Sequence, residues 1–214
     1  MDFKYKKWIW LGAIAVVVVL ADQGTKKWVS AALAKPARGL YPPPCNADGP
    51  VSEREILKPV KMKTVIEGYW DFRYVENCGG AFGLFSRQRE SFRRPFFYVT
   101  SVIASLFLLY LFIRLKPSET ILLAAFSVIL GGAVGNVIDR VSLGYVVDFI
   151  EWHIREKARW PTFNIADVGI TVGLVLILFD SFFLASKREK KEKQEQKKRE
   201  KTEKKEKKGK EPTE

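Results

Sequence analysis

The stretch ILLAAFSVILGGAVGNVIDR, residues 121–140, decides the fold. From Ile121 to Ile138 it carries no charge. As a helix rising about 1.5 Å per residue, that run is long enough to cross the hydrocarbon of a bilayer. It then ends on Asp139 and Arg140. An ionisable group at membrane depth is expensive and marks a functional site by default. Gly131, Gly132 and Gly135 would let neighbouring helices come close.

Three more apolar runs lie on either side. Pro95–Leu115 is uncharged until Arg114, and Ile165–Ala185 carries only Asp167 and Asp180. Trp8–Ala21 is shorter but continues helically through Val29. Its basic start also suits a cleaved signal peptide. However, Ala21–Lys27 is helix-compatible and lacks a small-x-small cleavage site, so an uncleaved span is expected. The expected fold is a mainly α membrane protein: a four-transmembrane-helix bundle with a small extracytoplasmic β-sheet and surface loops. Its spans fall at about 8–29, 95–115, 121–139 and 165–185, and its outer loops at about 30–94 and 140–164. Residues 1–187 form the membrane domain.

Whole-chain averages hide this pattern. Mean hydropathy is −0.07 because the apolar runs are averaged with a very polar tail. Net charge is +12, from 36 Lys and Arg against 24 Asp and Glu. Much of the excess lies in residues 188–214, which alternate Lys and Glu and read as a solvated, disordered or frayed cytoplasmic tail able to touch anionic lipid. No aromatic interleaving or binding motif accompanies it, so nucleic acid is not an expected partner. Membrane lipid is.

Basic residues flank the spans at Lys4, Lys6 and Lys7, at Arg114 and Lys116, and at Lys187 and Arg188. Four spans put these segments on one side, so both termini are expected in the cytoplasm. The outer loops hold basic residues too, which weakens the contrast. In the first outer loop, Lys35–Pro59 is rich in proline and polar residues. Lys61–Tyr74 alternates like a strand, with turns expected at Gly68 and Asp71. The second contains Val146–Ile150, then Trp152 and Trp160, which fit an interfacial belt. This topology brings Asp139, Asp167, Asp22 and Lys26 to the outer face. Asp180 lies about 20 Å deeper than Asp167 and reads as a headgroup-facing or bundle-capping acid.

Two neighbouring carboxyls cannot both ionise cheaply. One that stays charged can take a proton from water, while a protonated partner hydrogen-bonds a carbonyl and later protonates a leaving amine. This is the logic of the aspartic-protease dyad, a worked case of the general rule. Equally, Asp139 could simply pair with Arg140, and Asp167 could simply favour a helix N-terminus. The single histidine, His153, reads as an interfacial or loop residue. HExxH and GxSxG are absent. A small transporter or proton relay, or a non-catalytic scaffold binding through the Asn77–Phe85 loop and the tail, are the other classes such a pattern allows. No metal or organic cofactor is called for.

Five words, in order along residues 8–185, resemble the lipoprotein (prolipoprotein, type II) signal peptidases. They are Asp22-Gln23-Gly24-Thr25-Lys26, Asn77–Gly83, Gly131–Arg140, Val146–Phe149 and Phe163–Asp167. The resemblance implies a monomeric aspartic endopeptidase of the bacterial cytoplasmic (inner) membrane, with its site at the outer face. Its substrates would be diacylglyceryl-modified prolipoproteins, cut just before the lipidated cysteine. The catalytic pair falls on Asp139 and Asp167. Asp22, Lys26, Asn77, Gly80, Asn136, Arg140, Asp148 and Asn164 would support the site or bind substrate. Asn136 and Asn164 each lie three residues before an aspartate, on its helical face. Arg140 would balance Asp148 or nearby acids. Asn77, Gly80 and Gly83 suit a tight turn, from which Phe82, Leu84 and Phe85 would dip into the membrane surface. Two departures stand out: a long insertion at Arg38–Pro59, and the tail, expected to be dispensable for cleavage. Cys45 and Cys78 share the outer side, where a disulfide is allowed. Free thiols are the simpler expectation.

Overall fold

The computed structural model describes residues 3–34, 45, 62–80, 84–85, 88–184, 186–188, 193–194 and 196, with side chains from Lys7 onward. The expected insertion (Cys45 apart), Phe82, Gly83 and most of the tail lie outside these residues. Four helices are long and apolar enough to cross a membrane. They are α1 (Phe3–Leu33), α2 (Glu90–Arg114), α3 (Thr120–Ser142) and α4 (Ile165–Phe183).

Helix α3 is the centre of the bundle and packs against the other three. Its glycines make that approach possible. A methyl group at Gly131 would stand 2.9 Å from the Ala15 carbonyl oxygen of α1, and one at Gly132 would run into the Ala166 carbonyl of α4. Between lipid-facing helices such backbone contact supplies the van der Waals attraction that the hydrophobic effect does not. At one end, here the tail end, Phe112, Leu123, Phe126 and Leu130 form an apolar cluster. There the Lys7 ammonium of α1 reaches the Ile113 carbonyl of α2 at 3.1 Å.

Two helix boundaries depart from the expected spans. Helix α2 begins at Glu90, ahead of Pro95. A proline that near the start forfeits only one early backbone hydrogen bond, so it does not set the boundary. Helix α1 runs on past Val29 because Val29 and Leu33 are buried with Phe149 and Ile150 beneath the sheet.

The sheet covers the other end of the bundle. Strands β1 (Met62–Ile66), β2 (Trp70–Asn77), β3 (Val146–Ile154) and β4 (Ala158–Arg159) lie in that order, each pair antiparallel. Gly68 makes the β1–β2 turn at φ 78°, where a side chain would be strained. Asp71 is not a turn residue. It lies within β2 opposite Thr64 and Glu151, and its Oδ2 meets His153 Nε2 at 2.8 Å. His153 is accordingly a strand residue rather than a loop one. The run Val146–Ile150 becomes the buried half of β3, which carries Asp148 under the sheet. Trp152 and Trp160 stay exposed at this end, as an interfacial belt requires.

The thiols are not free. Cys45 and Cys78 form a disulfide with Cα atoms 5.4 Å apart, within the range a bridge accepts. Cys45 is held beside the end of β2, where its N–H donates to Glu76 Oε2 at 3.1 Å.

Candidate active site

Five elements deliver polar side chains to the sheet end of the bundle. Helix α1 brings Asp22, Gln23 and Lys26, α3 brings Asn136, Asp139 and Arg140, and α4 begins with Asn164 and Asp167. Strands β2 and β3 add Asn77 and Asp148. Six of these ten are buried, while Gln23, Asn77, Arg140 and Asp167 keep partial exposure.

Lys26 is the hub. Its ammonium lies 2.8 Å from Asp22 Oδ2, 2.9 Å from Asp139 Oδ2 and 3.0 Å from Asn136 Oδ1. Three N–H groups thus meet three acceptors, which is all an ammonium can offer. The i,i+4 spacing sets Asp22 and Lys26 on one face of α1. Gly135 leaves the room: a methyl there would stand 2.6 Å from Asp22 Oδ2. Asp22 also caps a neighbouring helix, since its Oδ1 accepts from the Ala166 N–H of α4 at 2.9 Å.

Asp139 is fully engaged. Besides Lys26, it accepts from Gln23 Nε2 at 2.9 Å and from the Val147 N–H at 3.0 Å. Asp167 is held by neutral amides: Asn136 Nδ2 at 2.9 Å and the Asn164 N–H at 3.2 Å. Asn164 returns the bond, its Oδ1 accepting from the Asp167 N–H at 3.0 Å, so the pair forms a capping box that starts α4. One ammonium and one amide, Lys26 and Asn136, therefore link the two aspartates.

A second layer adjoins the first. Asp148 accepts from Asn164 Nδ2 at 2.6 Å and from Asn77 Nδ2 at 2.9 Å. Burial pushes its carboxyl from the ordinary 3.8 up to about 7, and the Asp167 charge adds to the push; the two amides and Lys26 oppose it. Nearby, burial also raises the Tyr74 hydroxyl, which donates to Glu76 Oε1 at 3.2 Å. The Asn77–Gly80 turn closes through Gly79 N–H to Asn77 Oδ1 at 3.0 Å. A methyl at Gly80 would press on Phe97 at 3.0 Å. Leu84 is exposed, and Phe85 takes φ 61° among Phe92, Phe96 and Phe97.

The expected site residues therefore gather in one place. Arg140 makes no direct ion pair with Asp148 among the described residues, but the charges of Asp167, Asp148 and Asp139 all act on its guanidinium. Its guanidinium reaches the Asn136 carbonyl at 3.4 Å and lies over the Phe97 ring at 5.5 Å. Sequence reasoning passed over Gln23, although it stands inside the quoted word Asp22–Lys26. A polar residue beside an expected site residue on a lipid-soluble helix was the available signal. The Val147 N–H carried no such signal, because backbone donors are invisible in a sequence. Among the described residues no group of three or more His, Cys, Asp or Glu is placed to hold a metal ion.

Fold and site together define a multi-pass membrane protein with a buried, acid-rich polar centre at one end of its bundle. The family model described as signal peptidase (SPase) II matches residues 14–183. A lipoprotein signal peptidase of Anaeromyxobacter sp. (strain Fw109-5) is 38% identical over 190 residues, covering 81% of this chain and 85% of that one. Another, from Francisella tularensis subsp. novicida (strain U112), is 41% identical over 122 residues, or 57% of this chain and 75% of that one. A bacterial membrane enzyme solved by the in meso method at 1.9 Å superposes with a TM-score of 0.61 at 29% identity, covering 82% of this chain and 94% of that one. A second, at 2.3 Å, gives 0.59 at 31% identity, covering 80% and 89%. The chain belongs to the signal peptidase II family.

Proposed function

We propose that this chain is a membrane-embedded aspartic endopeptidase that removes signal peptides from diacylglyceryl-modified prolipoproteins, cutting before the lipidated cysteine. Its catalytic pair is Asp148 and Asp167 rather than the expected Asp139 and Asp167, because Asn164 bridges the first two directly, whereas Asp139 is taken up by Lys26, Gln23 and the Val147 N–H. One carboxylate takes a proton from water, and the oxygen attacks the scissile carbonyl. The other, protonated, donates to that carbonyl oxygen. The C–N bond then breaks and the amine leaves with a proton from the pair. Asn136 and Asn164 orient Asp167, Asn77 and Asn164 orient Asp148, and Lys26, held by Asp22 and Asp139, supplies the nearby positive charge.

The observation that carries this reading is the amide bridge Asp148–Asn164–Asp167 between β3 and the start of α4, across which the Asp167 charge helps raise the Asp148 carboxyl. Family membership sets the substrate class. The basic flanks support an orientation with both termini in the cytoplasm and the sheet end outside. Acyl chains would then remain in lipid while water reaches the partly exposed Asp167 from the sheet side.

The test uses the purified full-length protein with a diacylglyceryl-modified precursor and its unlipidated form. Cleavage of the lipidated form alone is expected. In Asp148→Asn and Asp167→Asn, kcat should fall by about 1,000-fold or more while the protein stays folded. Wild-type turnover by either folded variant sinks the reading.

A further inference from the structure

Arg93, near the start of α2, is only 7% exposed and forms no ion pair among the described residues. Its guanidinium instead forks onto two main-chain carbonyls. Nη1 donates to Cys78 at 3.0 Å and Nη2 donates to Cys45 at 2.8 Å, the two residues joined by the disulfide. A charge buried without a counter-ion is costly, so the geometry it imposes must matter. That geometry is specific. Two residues 33 positions apart in sequence are pinned at one point, by a covalent bond and by a rigid fork.

The pinned point adjoins the site. Asn77 precedes Cys78, accepts from Gly79 N–H through Oδ1, and donates through Nδ2 to Asp148. Asp148 accepts in turn from Asn164, whose amide and main chain hold Asp167. If the turn shifts, the Asn77 amide leaves Asp148, and Asn164 loses the acceptor that orients it.

We propose that Arg93 is a positioning residue. With the Cys45–Cys78 bond it clamps the Asn77–Gly80 turn, and through the Asn77 amide it fixes Asp148 and, by way of Asn164, Asp167. The proposal rests on the aspartic-peptidase reading of that site. Lysine cannot replace this arginine, because a compact ammonium on a flexible stem does not span two carbonyls in fixed directions.

The experiment compares wild type, Arg93→Lys, Asp148→Asn and Asp167→Asn on a diacylglyceryl-modified precursor, with hydrogen exchange read in parallel. For Arg93→Lys, kcat should fall about 10–100-fold with KM within twofold, as expected when reacting groups lose alignment. Exchange should quicken at the Gly79 amide while the spans stay protected. A residue that merely props the fold would shift unfolding and leave kcat of the folded protein unchanged. Wild-type kcat in Arg93→Lys, or a loss of kcat without faster Gly79 exchange, overturns the clamp. If Arg93→Lys does not fold, wild type with its two cysteines reduced and alkylated decides instead. Lower kcat with protected spans supports the clamp, and undiminished kcat overturns it. Active Asp148→Asn or Asp167→Asn overturns the aspartate reading and the clamp's purpose with it. Inactive aspartate variants beside a fully active Arg93→Lys overturn the clamp alone.

Discussion

Helix α4 holds an aspartate near each end, and the two ends treat it in opposite ways. Asp180, at the tail end, is 1% exposed and paired with Arg188, eight positions on. Asp167, at the sheet end, is partly exposed and accepts from amides alone. The tail end gives one acid its own base beside an apolar cluster. The sheet end makes Asp22 and Asp139 share Lys26, while Asp148 and Asp167 share Asn164. Burial of an acid among apolar helices is thus common to both ends. Sharing of partners between elements is not, and sharing is what couples α1, α3, α4 and the sheet into one chemical unit.

The comparison breaks most visibly at Lys26. Lys26→Met leaves Asp22 and Asp139 buried without their cation. Removing one member of a buried charged group costs about 3–5 kcal/mol. Turnover should fall as well, by about 100-fold or more, since Asp148 and Asp167 lose the positive charge beside them. Unfolding in detergent and single-turnover cleavage measure the two effects. A stability loss with full turnover in the folded fraction would make Lys26 a private structural partner, like Arg188.

How far this contrast was legible beforehand differs by element. The four spans followed from uncharged length, and the gathering of Asp22, Asp139 and Asp167 followed from alternating helix direction. The pairing of β2 with β3 did not, because Asn77 and Val146 are partners across the whole of α2 and α3. Asp71 was misread for a related reason. Aspartate favours turns locally, but cross-strand register and His153 outweigh that preference here. The disulfide depended on a Cα separation that no spacing encodes, and Arg93 looked like an ordinary basic flank of a span.

A second measurement sharpens the sheet end itself. In the unfolded chain the Asp148 carboxyl keeps its proton only to about its ordinary 3.8, and in the fold it keeps it to about 7. Between those values the folded state binds more protons. Its contribution is complete below about pH 4, drains as pH rises, and is gone above about 7. The expected size is on the order of a few kcal/mol. Asp148→Asn should flatten stability across that window. It should also cost one hydrogen bond at every pH, because Asn77 and Asn164 both present N–H to this position. An unchanged slope from pH 4 to 7 would mean that Asp148 keeps its charge in the fold.

The smallest effect is expected at the tail end. Asp180→Asn removes the charged bond to Arg188, but Arg188 is 26% exposed and can turn to water. The change also relieves a buried carboxylate whose Oδ1 has no partner among the described residues. Loss of the pair and relief of desolvation oppose each other, so stability should move by about 1 kcal/mol or less. Turnover should stay at the wild-type level, because no hydrogen bond leads from Asp180 to Lys26, Asn136 or Asn164 among the described residues. Thermal unfolding and cleavage of the lipidated precursor test both points. A marked loss of turnover would show that α4 transmits strain along its length, and the two ends would then be one system rather than two.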